Sequence, residues 1–229
     1  MCDHQILPFL IALKENNSLE WMHQNKAWQR EAASQFEALL QGIVSDLAKS
    51  EPALASLNAK DLVFRMNRDT RFGRDKSPYT PAFRAHISPA GRAPVPVGYY
   101  LCIAPGASFL GGGLFASMFQ DATRRIRDAI CADGAEFEAI LKTPDFARRF
   151  TLSGERLKNV PRGYDAAHPQ AEYLKFKSWY IEAPISDEAL CDLHAFREQA
   201  VQDFLCMRPF NAFLNGALDG FQMPERPSR

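Results

Sequence analysis

Residues 98–115 read Gly98-Tyr99-Tyr100-Leu101-Cys102-Ile103-Ala104-Pro105-Gly106-Ala107-Ser108-Phe109-Leu110-Gly111-Gly112-Gly113-Leu114-Phe115. Two apolar and aromatic runs flank Pro105-Gly106, a pair suited to a turn, so the spacing predicts two strands with a short connection. A connection this short joins antiparallel neighbours. The run Gly111-Gly112-Gly113 marks a bulge or a close approach of another backbone. It is not a phosphate loop, because neither G-x-x-x-x-G-K-[ST] nor G-x-G-x-x-G occurs.

Outward from this hairpin, 62–67 (Leu62-Val63-Phe64-Arg65-Met66-Asn67) alternates well enough to be a strand, and 83–88 is another. Pro94 and Pro96 put 91–96 in a loop. Upstream, Ile6, Leu7, Leu10 and Leu13 repeat at helical spacing until Asn16-Asn17. Ser18 then caps a new turn, with Glu20 near its positive end. A long amphipathic helix follows from Lys26, its stripe carried by Phe36, Leu39, Leu40, Ile43, Val44 and Leu47 up to Glu51-Pro52. Downstream the pattern predicts helices from about 119 and over 135–142, and a short one opened by Pro144. It continues with a helix after Pro169, a strand over 179–185, a helix over 187–207 capped by Ser186, and a last short helix from Pro209. The order gives an α+β fold with a mostly antiparallel central sheet and helices on one face. The expectation is a single domain over 1–229, with a helical part at 5–50, a sheet-rich middle at 61–118 and a mixed remainder at 119–220.

Composition bounds the function. The chain has 229 residues, 46% hydrophobic, with 27 Lys+Arg against 27 Asp+Glu. Folding at this length buries roughly 70% of the extended surface, so no metal or disulfide staple is required. Zero net charge argues against a general nucleic-acid or membrane-surface binder. The N-terminus lacks the basic start of a signal peptide, and no apolar run is long enough to cross a membrane. Five scattered cysteines (Cys2, Cys102, Cys131, Cys191, Cys206) form no C-x-x-C pair and no zinc spacing. They read as reduced, mostly packed thiols of a cytoplasmic protein with no metal and no cofactor.

Charge is nevertheless concentrated locally. Residues 65–79 carry five cations (Arg65, Arg68, Arg71, Arg74, Lys76) against Asp69 and Asp75. If 62–67 is a strand, Arg65 and Asn67 share a face, and Arg68 onward forms the strand-end loop where sites tend to be built. Arginine forks match phosphate or carboxylate oxygens, Lys76 adds a point charge, and Ser77 and Tyr79 add hydroxyls. The functional reading is an anion pocket of Arg65, Asn67, Arg68, Asp69, Arg71, Asp75, Lys76 and Tyr79. The plainer reading is that Asp69 and Asp75 pair with Arg68, Arg71 or Lys76 and clasp the loop.

These residues also carry a resemblance. Asn17 to Trp28 (with Glu20-Trp21 and Asn25-Lys26), Arg65 to Phe72, and Asp75-Lys76-Ser77-Pro78-Tyr79 match a family pattern in order. It continues through Gly98-Tyr99-Tyr100, Pro105-Gly106, Gly111-Gly112-Gly113, Pro161-Arg162-Gly163-Tyr164 and His168-Pro169. The chain resembles the uncharacterised bacterial and fungal family catalogued as domain of unknown function 2461. Leu19 and Thr80 stand where that pattern has basic residues. The resemblance implies a single-domain soluble protein and brings no activity with it.

Other candidates have plain alternatives. His168, before Pro169 and near Arg162, Tyr164 and Asp165, is the acid/base candidate; its alternative is a helix-start histidine bonded to backbone. His86 faces the pocket of Arg65 only if its strand register is right. Glu20, Trp21, Asn25 and Lys26 either close over the pocket or anchor two helices through a buried Trp. Cys102 and Cys131 read as core. Arg124, Arg125, Arg127, Arg148 and Arg149 read as a solvated face, with Asp121–Arg125 and Arg124–Asp128 as helix ion pairs. G-x-S-x-G is absent, and Glu136 and Glu138 diverge on their helix. Two functional classes remain: a site for a phosphate- or carboxylate-bearing small molecule, or an interaction module whose basic loop meets an acidic partner. Nucleic acid is disfavoured because aromatic residues are not interleaved with the cations.

Overall fold

The computed structural model describes residues 2–71 and 75–224. Its helices are α1 (Ile6–Glu15), α2 (Leu19–Gln24), α3 (Lys26–Leu47), α4 (Ala59–Leu62), α5 (Gln120–Lys142), α6 (Pro144–Arg149), α7 (Ala171–Leu174) and α8 (Leu193–Ala217). The strands are β1 (Phe83–Ile87), β2 (Tyr99–Ile103), β3 (Ser108–Leu114), β4 (Thr151–Ser153) and β5 (Trp179–Ile185). They form one antiparallel sheet in the order β1-β2-β3-β5-β4, with Thr151, Leu152 and Ser153 opposite Glu182, Ile181 and Tyr180. The α+β class expected from the residue pattern is the observed one.

The chain divides into two compact units. The first comprises Met1–Arg92, Tyr100–Leu110 and Pro184–Leu205. Its core joins Ile6, Phe9, Leu10 and Leu13 of α1 to Phe36, Leu40 and Ile43 of α3, all fully buried. Phe83 of β1 completes the layer, its ring 5.2 Å from Phe36 and 6.2 Å from Phe9. Each such side chain contributes about 1.5–3 kcal/mol by leaving water. On the opposite face of the strands, half-buried Tyr100 stacks on Phe109 at 5.7 Å and lies 6.0 Å from Phe64. Buried His4 binds through both nitrogens: Nε2 donates to the Leu190 carbonyl (2.8 Å) and Nδ1 accepts from the Ile6 N–H (3.1 Å). Beside it Cys2 and Cys191 form a disulfide. This corrects the reading of all five thiols as reduced. Sequence spacing hid the pair, because 189 residues separate partners that folding brings together.

The second unit comprises Ala93–Tyr99, Gly111–Ala183 and Cys206–Arg229. Phe210 sits 6.0 Å from both Phe137 and Phe146, over a floor that includes fully buried Ile126, Ile130 and Trp179. The Gly triplet serves close approach: a side chain on Gly112 would meet Asn211 and Met207 at 3.1 Å. Gly113, at φ +93°, would put its Cβ 2.4 Å from the Trp179 carbonyl.

Four expected elements differ. Residues 62–67 are not a strand: α4 ends at Leu62, and the extended stretch after it makes only isolated bridges, Val63 to Ala85 and Asn67 to Tyr79. The register slips by two residues between those bridges, around Pro81, which has no N–H to give a ladder. Pro209 starts no new helix but lies inside α8, where buried Met207, Phe210 and Leu214 outweigh its lost bond. Asp192 caps α8, its carboxylate accepting from the His194 and Ala195 N–H groups, while Ser186 caps the short 3-10 turn before it. The two helices expected after 119 are one, α5, bent at Asp133 (φ −123°, ψ 36°).

Candidate functional site

The first unit holds a cleft of about 450 Å³ between α2–α3 and the extended segment 63–67. Ser18 starts its helical wall, its hydroxyl accepting from the Trp21 N–H at 3.1 Å. Trp21 then packs 6.0 Å from Phe9 and 6.3 Å from Trp28, and Trp28 Nε1 donates to Gln5 (2.8 Å). The tryptophans thus anchor α2 to α1 and α3, and Lys26, Gln29, Ala33 and Glu37 of α3 face the cleft. These four fall within about 80° of arc at helical spacing, along one edge of the core stripe that Leu40, Val44 and Leu47 continue further down the helix. Across from them Arg65, Asn67 and Tyr79 contribute polar groups, and Val63, Met66 and Phe83 an apolar floor.

The far end of the basic stretch is pinned. Asn17 Nδ2 donates to the Tyr79 carbonyl (2.9 Å), and its Oδ1 accepts from the Tyr79 N–H (3.1 Å). Within the loop, Arg71 forms a two-pronged pair with Asp69 (2.6 and 2.9 Å), and Arg68 pairs with Asp75. Lys76 Nζ donates to the Thr70 carbonyl at 2.8 Å. The Ser77 hydroxyl and N–H, with the Arg68 guanidinium behind them, hold the Asp75 carboxyl well below the usual carboxylate range. Of the eight residues singled out in the sequence, Arg65, Asn67 and Tyr79 therefore line the cleft, while Arg68, Asp69, Arg71, Asp75 and Lys76 bind one another or the loop backbone. Arg74 lies outside the described residues.

Arg65, Lys26 and Glu37 contrast with that loop. None has an ion-pair partner among the described residues, although Glu37 is half-buried. Lys26, one of the residues expected to close over the pocket or anchor the helices, lines the cleft; His23, Gln29 and Glu37, which the sequence reading did not single out, line it too. The readable signal was the i, i+3, i+7, i+11 spacing of Lys26, Gln29, Ala33 and Glu37, which shares one edge of the apolar stripe and was hidden by its strength.

The remaining candidates resolve into structural roles. His168 Nδ1 accepts from the Gln170 N–H (3.1 Å), the helix-start arrangement. His86 is buried, with Nδ1 3.1 Å from the Gly91 carbonyl, and does not line the cleft. Asp121 pairs with both Arg124 and Arg125, whereas Asp128 accepts from the Tyr164 hydroxyl (2.8 Å). Burial, then that acceptor, pushes Tyr164 up to about 12. Arg127 is no surface cation: it is buried, donating to the Leu174 and Phe176 carbonyls at 2.8 and 2.7 Å. Burial raises the Cys131 thiol, which disfavours a nucleophile there. Among the described residues no group of three His, Cys, Asp or Glu is arranged to hold a metal ion. No helix among them is long and apolar enough to cross a membrane.

Fold and cleft together define an α+β protein with an amphipathic, charge-lined hollow under an N-terminal helical layer. Over residues 5–213 the sequence matches the family described as conserved hypothetical protein (DUF2461), and the chain belongs to it. No curated protein and no solved structure matches the chain.

Proposed function

We propose that the cleft binds a small molecule carrying a phosphate or carboxylate group on an apolar body. The observation that supports this is the contrast in pairing. The loop cations Arg68 and Arg71 have carboxylate partners, whereas Arg65 and Lys26, which line a hollow of about 450 Å³, have none among the described residues. A hollow of that size, with an apolar floor and polar groups on its walls, suits a small ligand. In this reading Arg65 and Lys26 meet the anion, Asn67 and Tyr79 orient it, and the paired residues Arg68, Asp69, Arg71 and Asp75 frame the loop. The pairing of Arg68 with Asp75 and of Arg71 with Asp69 weakens the alternative in which that loop docks on an acidic protein.

Thermal shift and calorimetry with octanoate and octyl phosphate test the reading. Both anions raise the melting temperature of the parent, and Arg65→Gln removes most of the rise. Arg68→Gln, which breaks only the frame, melts lower without ligand but keeps its response. Absence of any shift in the parent, or a full shift in Arg65→Gln, overturns the proposal.

A further inference from the structure

The α3 wall of the cleft is charged at both ends, with opposite signs. Lys26 opens the helix and Glu37 lies three turns further on, ~16 Å along the axis, with Gln29 and small Ala33 between them. The facing segment can be oriented along the same axis. Just before it, Gln41, one turn beyond Glu37, accepts from the Ala59 N–H (2.9 Å), which sets Val63 toward the acidic end. Just after it, Asn67 bridges Tyr79, which Asn17 ties to the start of α2 at the basic end. His23 and Lys26 therefore share one end with Asn67 and Tyr79, Arg65 and the apolar groups lie between, and Glu37 closes the other end. A half-buried carboxylate beside apolar side chains loses hydration, and no partner among the described residues offsets that loss.

Resting on the anion-binding reading, we infer that the ligand is a linear zwitterion: an anionic group at the Lys26 end, an apolar middle, and an ammonium group at Glu37. Two sources share this chemistry, an ω-amino carboxylate and a short apolar peptide with free termini. An extended peptide of three or four residues spans ~10–14 Å, within the length of the wall.

Calorimetric titration of the full chain with 6-aminohexanoate, 8-aminooctanoate and 12-aminododecanoate, each against its carboxylate without the amine, provides the test. At least one amino acid of the series binds about tenfold tighter than its counterpart, the gain of one charge-assisted hydrogen bond. Glu37→Gln erases that advantage, so that the amino acid and its amine-free counterpart bind this variant equally well. Tetra-alanine with free termini, compared with its N-acetylated form, separates the sources: tight binding of the free peptide lost on acetylation assigns a peptide, and weak binding of both assigns the amino carboxylate. If octanoate binds but the amine adds nothing at any length, or if the advantage survives in Glu37→Gln, the zwitterion is overturned and the anion site stands. If octanoate fails as well, both fall.

Discussion

Arg127 is the residue whose environment departs furthest from its type. Arginine is seldom buried without a partner of opposite charge, and this one is 9% exposed with two backbone carbonyls as its acceptors and the Trp179 ring 5.8 Å away. Burial lowers its proton affinity, yet a guanidinium stays charged at any working pH. Arg127→Ala would strip two buried carbonyls of their donors at once, and is expected to cost about 3 kcal/mol or more in chemical denaturation. A variant within 1 kcal/mol of the parent would contradict that account. Asp75 acts in the opposite regime, at the surface. Its carboxyl is held down in the folded state, so its contribution is present above the ordinary carboxylate pKa of ~4 and disappears as pH falls toward the lower folded value. Stability measured from pH 6 to pH 2 should therefore fall less steeply in Asp75→Asn than in the parent.

At the scale of elements, β3 depends on a residue with no side chain. Gly113 has φ +93°, and any Cβ there would overlap the Trp179 carbonyl at 2.4 Å. Gly91, at φ +66°, has open space around it and serves as an internal comparison. Gly91→Ala should cost about 1–2 kcal/mol for the left-handed backbone alone, and Gly113→Ala clearly more, because backbone must shift. Equal melting temperatures for the two variants would show that the approach to Trp179 is not tight. The same element shows what a sequence can convey. Turn chemistry at Pro105-Gly106 and the apolar runs beside it are local, so the hairpin was readable, as was the glycine run. The extended segment 63–67 was misread as a strand because its alternation is real but its partner's register slips near Pro81, which only the fold reveals. Pro209 misled for the converse reason: a local breaker was overruled by burial on both sides of it.

For the whole molecule, zero net charge concealed an uneven allocation. The basic stretch 65–79 pointed to a segment that borders the cleft, which Arg65, Asn67 and Tyr79 line. Charge counting gave no means of telling which arginines have carboxylate partners, and it left out Glu37, which lies far along the chain. The disulfide was equally invisible, since distance in sequence says nothing about distance in space. Linking Cys2 to Cys191 closes a loop of 189 residues, and the chain-entropy account assigns such a loop about 5 kcal/mol. Reductant should lower the melting temperature of the parent by several degrees, and Cys2→Ser should melt like the reduced parent whether or not reductant is present. A parent indifferent to reductant would show that the cross-link adds nothing to the fold.

The double bond between Asn17 and Tyr79 has a further consequence. A side-chain amide that both donates to and accepts from the backbone of one residue matches it as one nucleobase matches another, with two hydrogen bonds in a ring. The Tyr79 amide proton, at the edge of an exposed loop, is thereby sheltered from solvent by a residue 62 positions earlier. Its rate of exchange with deuterium becomes a built-in gauge of that junction, slow while α2 and the loop stay latched at the basic end of the cleft and fast whenever they part.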